Sequence, residues 1–188
     1  MAEPWDAIIV AGGRGSRLGG VSKPALVVGG RTLLDRALDA VAGAAGVVVV
    51  GGPRAEGARW TVEQPEGSGP AAAVAAGMAE LARDRRPAPV TVVLGVDTPR
   101  AGDAVPALLA VAGPERGAWL VDAEGFAQQL LAAYPTPALA ARCSADLAGS
   151  SLRRLVDGIP MAEVPSTDDL ARDLDTSDDE DYWKGRLG

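Results

Sequence analysis

The run AGGRGSRLGG, from Ala11 to Gly20, follows directly on the apolar stretch Ala7–Val10 and leads into Ser22, Lys23 and Pro24. Its glycines, Gly12, Gly13, Gly15, Gly19 and Gly20, let the backbone come close to a ligand, and successive N–H groups form a concavity suited to phosphate oxygens. Arg14, Arg17 and Lys23 add positive charge. A triphosphate needs several such donors, because its own charge must be offset before an anionic nucleophile can approach. No Gly-Lys-Ser/Thr closes the loop, so it is not a Walker pattern, and it is not a clean G-x-G-x-x-G dinucleotide fingerprint. A glycine-rich turn between strand and helix is the plain structural alternative, and the three cations around the turn argue against it.

A second run, VVLGVDTP from Val92 to Pro99, is an apolar strand that delivers Asp97 at its carboxyl end, where Pro99 stops it. A carboxylate there is suited to hold Mg²⁺ against the phosphates of a nucleotide bound by the first loop. The competing role is capping of the helix that follows. A third run, EQPEGSGPAAA from Glu63 to Ala73, enters a helix at Pro70, with small residues before it that leave room for a base or ribose. Glu63 or Glu66 could accept from the N1 and N2 hydrogens of guanine, but a glutamate is by default an exposed surface group and no spacing rule singles either one out.

The rest of the composition narrows the chemistry. The chain of 188 residues contains no histidine, which removes Ser-His and Cys-His nucleophile pairs and every His-ligated metal centre. Catalysis must then run on carboxylates, Lys, Arg and backbone amides. The one cysteine, Cys143, is expected to be a small core residue. A formal net charge of -7 disfavours nucleic acid as a partner, while leaving room for a small anion in a locally positive pocket. No apolar run approaches a membrane span, and the opening MAEPWDAIIV has no basic segment ahead of its apolar stretch, so a cytoplasmic protein without membrane partners is expected.

The elements that must position these residues follow from periodicity. Strands are expected at Asp6–Val10, Ala25–Val28, Gly46–Gly51 and Val90–Val96, with an extended piece near Arg59–Val62 and helices from Thr32 to Val41, capped by Thr32, and from Pro70 to about Arg85. This βαβ alternation predicts a parallel sheet covered by helices on both faces, with ligands beyond the carboxyl ends of the strands, where the glycine loop and Asp97 both lie. The second half predicts strands at Ala118–Asp122, Leu130–Tyr134 and Met161–Val164 and helices at Thr136–Leu147 and Ser150–Val156. From Ser166 onward eight acidic residues crowd the chain, and by composition alone they predict a solvated tail. Length and the absence of a linker predict one domain over residues 1–188.

These elements in this order resemble the MobA-like nucleotidyltransferases, above all the molybdenum-cofactor guanylyltransferases, over nearly the whole chain. VAGGRGSRLGGVSK (Val10–Lys23) is similar to that family's nucleotide loop, L-A-G-G-x-S-x-R-M-G-x-D-K. The match implies that Val10, Ala11, Gly12 and Gly13 lie along the nucleotide, with Arg14 in the same loop, and that Arg17 and Lys23 hold its phosphates. GVDTP resembles C-D-T-P and makes Asp97 the implied metal ligand, while SGPAAAVAAG resembles G-P-x-x-G, which puts Gly69 at the base pocket with Glu63 near the acid that reads guanine. DLDTSDD is similar to the closing N/D-x-N/D-T-P-x-D-L segment and lends Asp173 and Asp175 an active-site role, Asp175 as a second metal ligand. Three positions depart from the pattern: Ser22 for the loop's Asp, Ala73 for the last glycine of the base motif, and Gln128-Gln129 where a His-Pro pair is usual.

The implied fold is a Rossmann-like three-layer sandwich of the nucleotide-diphospho-sugar transferase type. The implied reaction is Mg²⁺-dependent transfer of NMP from an NTP, GTP first, onto a phosphorylated acceptor, molybdopterin first, by a monomer or weak homo-oligomer. A cytidylyl- or sugar-phosphate nucleotidyltransferase and a non-catalytic nucleotide sensor are the alternatives. A dinucleotide-binding oxidoreductase would need an acid at the end of the second strand, where Gly51, Gly52 and Pro53 stand.

Overall fold

A computed structural model describes residues 3–12, 17, 18, 21–143, 147–166 and 169–187, those at 17, 18 and 21 by backbone alone. Gly13 and Arg14 therefore lie outside the described residues, as does the side chain of Arg17.

The chain opens with β1 (Trp5–Val10), followed by the two-residue strands β2 (Arg17–Leu18) and β3 (Val21–Ser22), which pair with each other. The strand expected at Ala25–Val28 is instead a 3-10 turn over Lys23–Ala25 and a two-residue strand, β4 (Val27–Val28), paired with β5 (Arg31–Thr32). Pro24, with its fixed φ and missing N–H, breaks the strand pairing, and Gly29 and Gly30, at φ 56° and 73°, form the tight turn between β4 and β5. Helix α1 (Leu33–Ala40) starts as expected at Thr32, whose hydroxyl accepts from Asp35 N at 3.0 Å while Asp35 accepts from Thr32 N, a reciprocal cap.

After α1 come β6 (Gly46–Val50), β7 (Arg59–Thr61), α2 (Pro70–Ala82), β8 (Val90–Gly95) and α3 (Ala101–Val111). The second half holds β9 (Gly117–Val121), β10 (Ala127–Pro135), α4 (Thr136–Arg142), α5 (Leu152–Val156), β11 (Met161–Pro165) and α6 (Ser177–Leu187). Helix α3, expected after Asp97 but without bounds, tolerates Pro106 inside it because the proline sits on the exposed side while Ala101, Ala104, Val105 and Leu108 are buried.

Seven strands form one sheet in the order β11-β9-β10-β8-β1-β6-β7. All run the same way except β10, which is antiparallel to both of its neighbours, so the sheet is mostly parallel. The central strands are buried on both faces, as their unbroken apolar runs require. One face, with Ile9, Val49, Val92 and Leu94, packs on α1, α3 and the buried Trp183 of α6. The other, with Ile8, Val48 and Val93, packs on α2, α4 and α5. Cys143 is half-buried against this second core, its Sγ donating to Leu139 O at 3.3 Å, and burial pushes its thiol pKa up to about 11. Among the described residues no helix is long and apolar enough to cross a membrane.

The acidic end is not a solvated tail. Leu170, Leu174 and Trp183 are all buried in the first core, and α6 lies against β4. Thr176 and Asp179 cap α6 reciprocally, at 3.0 and 3.2 Å, and Arg172 donates to Asp179 at 2.8 Å. Asp178, Asp179 and Glu180 occupy the first turn and Lys184 and Arg186 the last, the polarity that suits a helix dipole. A few apolar anchors thus hold a strongly acidic segment on the protein.

Candidate active site

At the carboxyl ends of β1 and β8 the sheet opens into a cleft of about 410 Å³. Its floor begins where β1 stops pairing: Ala11 N and Gly12 N both donate to Val50 O, at 2.9 and 3.1 Å, while Val96 N donates to Val10 O at 3.0 Å. Gly12 and Gly51 touch backbone to backbone; a Cβ on Gly51, whose φ is 70°, would come within 2.7 Å of Gly12 Cα. Val10, Ala11 and Gly12, expected along the nucleotide, all line the cleft.

Lys23 begins the 3-10 turn, and buried Pro24 fixes that turn beside Gly52. The Lys23 ammonium reaches Asp97 Oδ2 at 3.4 Å and forms a closer ion pair with Asp175 Oδ1. Partial burial pulls its pKa down, but the hydrogen bonds and charges of Asp175 and Asp97 outweigh that, and the net shift is upward. Asp97 sits just past β8 with its carboxylate folded over Gly95, where a Cβ would lie 2.6 Å from Asp97 Oδ1. Gly95 is a site residue that sequence reasoning missed; the signal was the single glycine interrupting an otherwise apolar strand two residues before the acid.

Asp175 arrives from the far end of the chain. Leu174 N donates to the Asp97 carbonyl at 2.8 Å, a bond that ties the closing segment to the end of β8 and sets the next side chain on Lys23. Asp173 is exposed nearby, its carboxyl raised above the ordinary value first by partial desolvation and then by the charges of Asp175 and Asp97. Two carboxylates from distant parts of the chain thus converge on one cationic centre. Their hard oxygens fit a divalent cation that retains most of its water, although no set of three His, Cys, Asp or Glu side chains among the described residues could enclose a metal.

The other end of the cleft is formed by Glu63, Gly67, Gly69, Pro70 and Ala73. The default expectation of an exposed glutamate holds for Glu66 and fails for Glu63, which is 6% exposed. Its Oε1 accepts from Gly67 N at 2.9 Å, and among the described residues Oε2 is buried without a partner. A buried carboxylate oxygen of this kind is open to a donor from a ligand or from water. Gly69, at φ 101°, precedes α2 and lines the cleft. The Ala73 methyl lies on the same wall.

Comparison with known proteins identifies the family and the fold. The sequence profile of the MobA-like NTP transferase domain matches residues 7–164. The chain is 36% identical over 169 residues to a molybdenum cofactor guanylyltransferase of Acidiphilium cryptum, covering 84% of this chain and 78% of that one. Among solved structures, a nucleotidyl transferase from Methanothermobacter superposes with a TM-score of 0.77 at 19% identity, covering 98% and 97% of the two chains. Molybdopterin-guanine dinucleotide biosynthesis protein A from Archaeoglobus fulgidus gives 0.70 at 18%, covering 96% and 97%. These likenesses identify the α/β fold as that of the nucleotide-diphospho-sugar transferases, and the profile match ends before the segment that carries Asp175. The chain belongs to the MobA-like NTP transferase family.

Proposed function

We propose that the protein transfers GMP from GTP to the phosphate of a phosphorylated acceptor, with molybdopterin the first candidate, in a Mg²⁺-dependent reaction that releases pyrophosphate. The observation that carries this reading is the pairing of two unlike ends in one cleft: the unpartnered Glu63 Oε2 at one, and the convergence of Lys23, Asp97 and Asp175 at the other. Guanine presents adjacent N1–H and N2–H donors that a carboxylate can accept, and the triphosphate would extend from there along Ala11 and Gly12 to Lys23. The relative from Acidiphilium cryptum supports the choice of nucleotide and acceptor through its own named activity.

In the proposed reaction an oxygen of the acceptor phosphate attacks the α-phosphorus in line. The new P–O bond makes a diphosphate bridge, and the bond to the β-phosphate oxygen breaks to release pyrophosphate. The attacking oxygen is already ionised at neutral pH, so no general base is needed, consistent with a chain that has no histidine. Lys23 would leave its carboxylate partners for the phosphates and offset charge gathering there. Asp97 and Asp175, freed of the ammonium, are the residues that would hold Mg²⁺, which when bound supplies Lewis-acid stabilisation of the phosphate oxygens. Arg17, Gly13 and Arg14 are assigned to the phosphates on the loop motif alone.

A melting-temperature panel of GTP, ATP, CTP and UTP with Mg²⁺ tests the nucleotide assignment, because a ligand of the native state raises its melting point. GTP is expected to give the largest rise, and Glu63→Gln to erase its advantage while leaving the protein folded. A dominant response to CTP would move the protein to the cytidylyltransferases of this fold.

A further inference from the structure

Gly69, Pro70 and Leu130 line the nucleotide cleft and also form part of a second hollow, of about 440 Å³, that carries Ser68, Gln129, Ser150, Ser151 and Leu152. Leu130 links this hollow to the reacting end: a Cβ on Gly95 would meet Asp97 Oδ1 at 2.6 Å and Leu130 Cβ at 3.5 Å, so the carboxylate and the leucine flank the same glycine. Leu130 thus borders both the hollow and the place where Asp97 stands.

The hollow is constructed by identifiable contacts. The register of β10 against β9 shifts between Gln128 and Ala132, and the buried Tyr134 hydroxyl donates to Gln129 O at 2.8 Å, which pins the irregular stretch. Irregularities of this kind re-aim side chains beside functional sites. The two glutamines then part company. Gln128 donates its amide to Asp122 Oδ2 at 2.8 Å, away from the hollow, whereas the Gln129 amide makes no hydrogen bond among the described residues. Across from it, Gly149 N donates to Ser68 O at 2.9 Å and Ser150 N to Leu147 O at 3.0 Å, fixing the turn that presents Ser150, whose hydroxyl is likewise unpartnered among the described residues.

No charged side chain lines this hollow among the described residues. An anionic group would lose water there and gain no counter-charge, while a neutral group with donors and acceptors on its rim would meet an amide and hydroxyls and rest its body against Pro70, Leu130 and Leu152. We infer that the hollow seats the uncharged body of the acceptor, that its single phosphate crosses Leu130 to the Lys23 end, and that Gln129 and Ser150 set acceptor specificity. This inference rests on the nucleotidyltransferase reading.

The test is a calorimetric titration of the protein saturated with Mg²⁺ and a GTP analogue whose α,β-bridge cannot be cleaved, using three probes: a pterin bearing one phosphomonoester, a sugar monophosphate and a sugar bisphosphate. At least one monophosphate binds and the bisphosphate binds worse; the order of pterin and sugar tells a flat heterocycle from a polyol. Gln129→Ala weakens the better monophosphate about tenfold, Ser150→Ala less, both at unchanged melting temperature and unchanged affinity for the GTP analogue. Gln129→Arg, which adds a cation to the hollow, improves the bisphosphate relative to the monophosphates. Acceptor affinity indifferent to Gln129→Ala and Ser150→Ala, a bisphosphate that binds best, or failure of all three probes on a protein that binds the analogue would overturn the inference and leave the nucleotide assignment standing. Failure of wild-type protein to bind the analogue would remove both.

Discussion

Asp97 and Asp175 meet on the same ammonium but are held there by opposite means. Asp97 stands at the end of β8, a strand buried on both faces, and its carboxylate lies back over Gly95 in a place only a glycine leaves open. Asp175 is exposed, belongs to no strand or helix, and keeps its position through the buried Leu174 beside it, the backbone bond from Leu174 to Asp97, and a helix anchored eight residues later by Trp183. The first carboxylate is part of the scaffold. The second is delivered by a strap outside the sheet, and that strap is expected to loosen before the sheet unfolds. The contrast implies that chemistry depends first on Asp97, and that Asp175 contributes in proportion to how firmly the strap is docked.

The largest expected effect is therefore at Asp97. Asp97→Asn keeps the size of the side chain while removing its charge, and should lower nucleotidyl transfer about a thousandfold, equivalent to roughly 4 kcal/mol, with melting nearly unchanged. A loss of that size accompanied by unfolding would mean that Asp97 serves the fold. Trp183→Ala should cost about 3–5 kcal/mol of stability by leaving a cavity under α6, and should raise the Mg²⁺ requirement as the strap lifts. Calorimetry with a magnesium titration would separate the two consequences. A destabilised protein with an unchanged magnesium requirement would break the link between strap and site.

Asp175→Asn should reduce turnover only about tenfold, because the ion would retain Asp97, phosphate oxygens and water. A loss equal to that of Asp97→Asn would erase the distinction between scaffold and strap. The smallest effect is one of pH. Hydrogen bonds from Thr176 and Arg172 hold the Asp179 carboxyl down to about 2, below the ordinary value near 4, so its support of α6 is complete above about pH 4 and fades as pH falls toward 2. Amide exchange in α6 should accelerate across that window before exchange in β1 and β8 does; simultaneous acceleration would show strap and sheet to be one cooperative unit.

The difference between the two carboxylates also explains what the sequence could reveal. The strand ends carrying Gly12 and Asp97, and the Thr32 cap, are local patterns in which apolar runs stop at polar residues, and the structure realises them almost residue for residue. The strap was legible only through the likeness of DLDTSDD to a known segment, because its composition is that of a solvated tail and a few buried residues decide its fate. The T-S-D-D cap and the acid-to-base order along α6 were the missed local signals. The burial of Glu63, a residue the sequence had already put forward, was hidden for a different reason. Its burial depends on the turn that brings Gly67 N to its carboxylate and on the packing of α2, neither of which a window of sequence around Glu63 expresses. The separate fates of Gln128 and Gln129 depend on a register shift against β9 and a hydroxyl five residues away, which are tertiary facts.

The most direct measurement follows the two ends of the triphosphate. GTP labelled at the α-phosphate, and in parallel at the γ-phosphate, is incubated with the protein, Mg²⁺ and molybdopterin, and the products are separated. The account predicts that the α-label moves to the acceptor in a diphosphate-linked product while the γ-label leaves as pyrophosphate, and that Asp97→Asn slows both about a thousandfold at matched folding. Transfer of the γ-label to the acceptor, or recovery of intact GTP from a protein saturated with it, would contradict nucleotidyl transfer at this site.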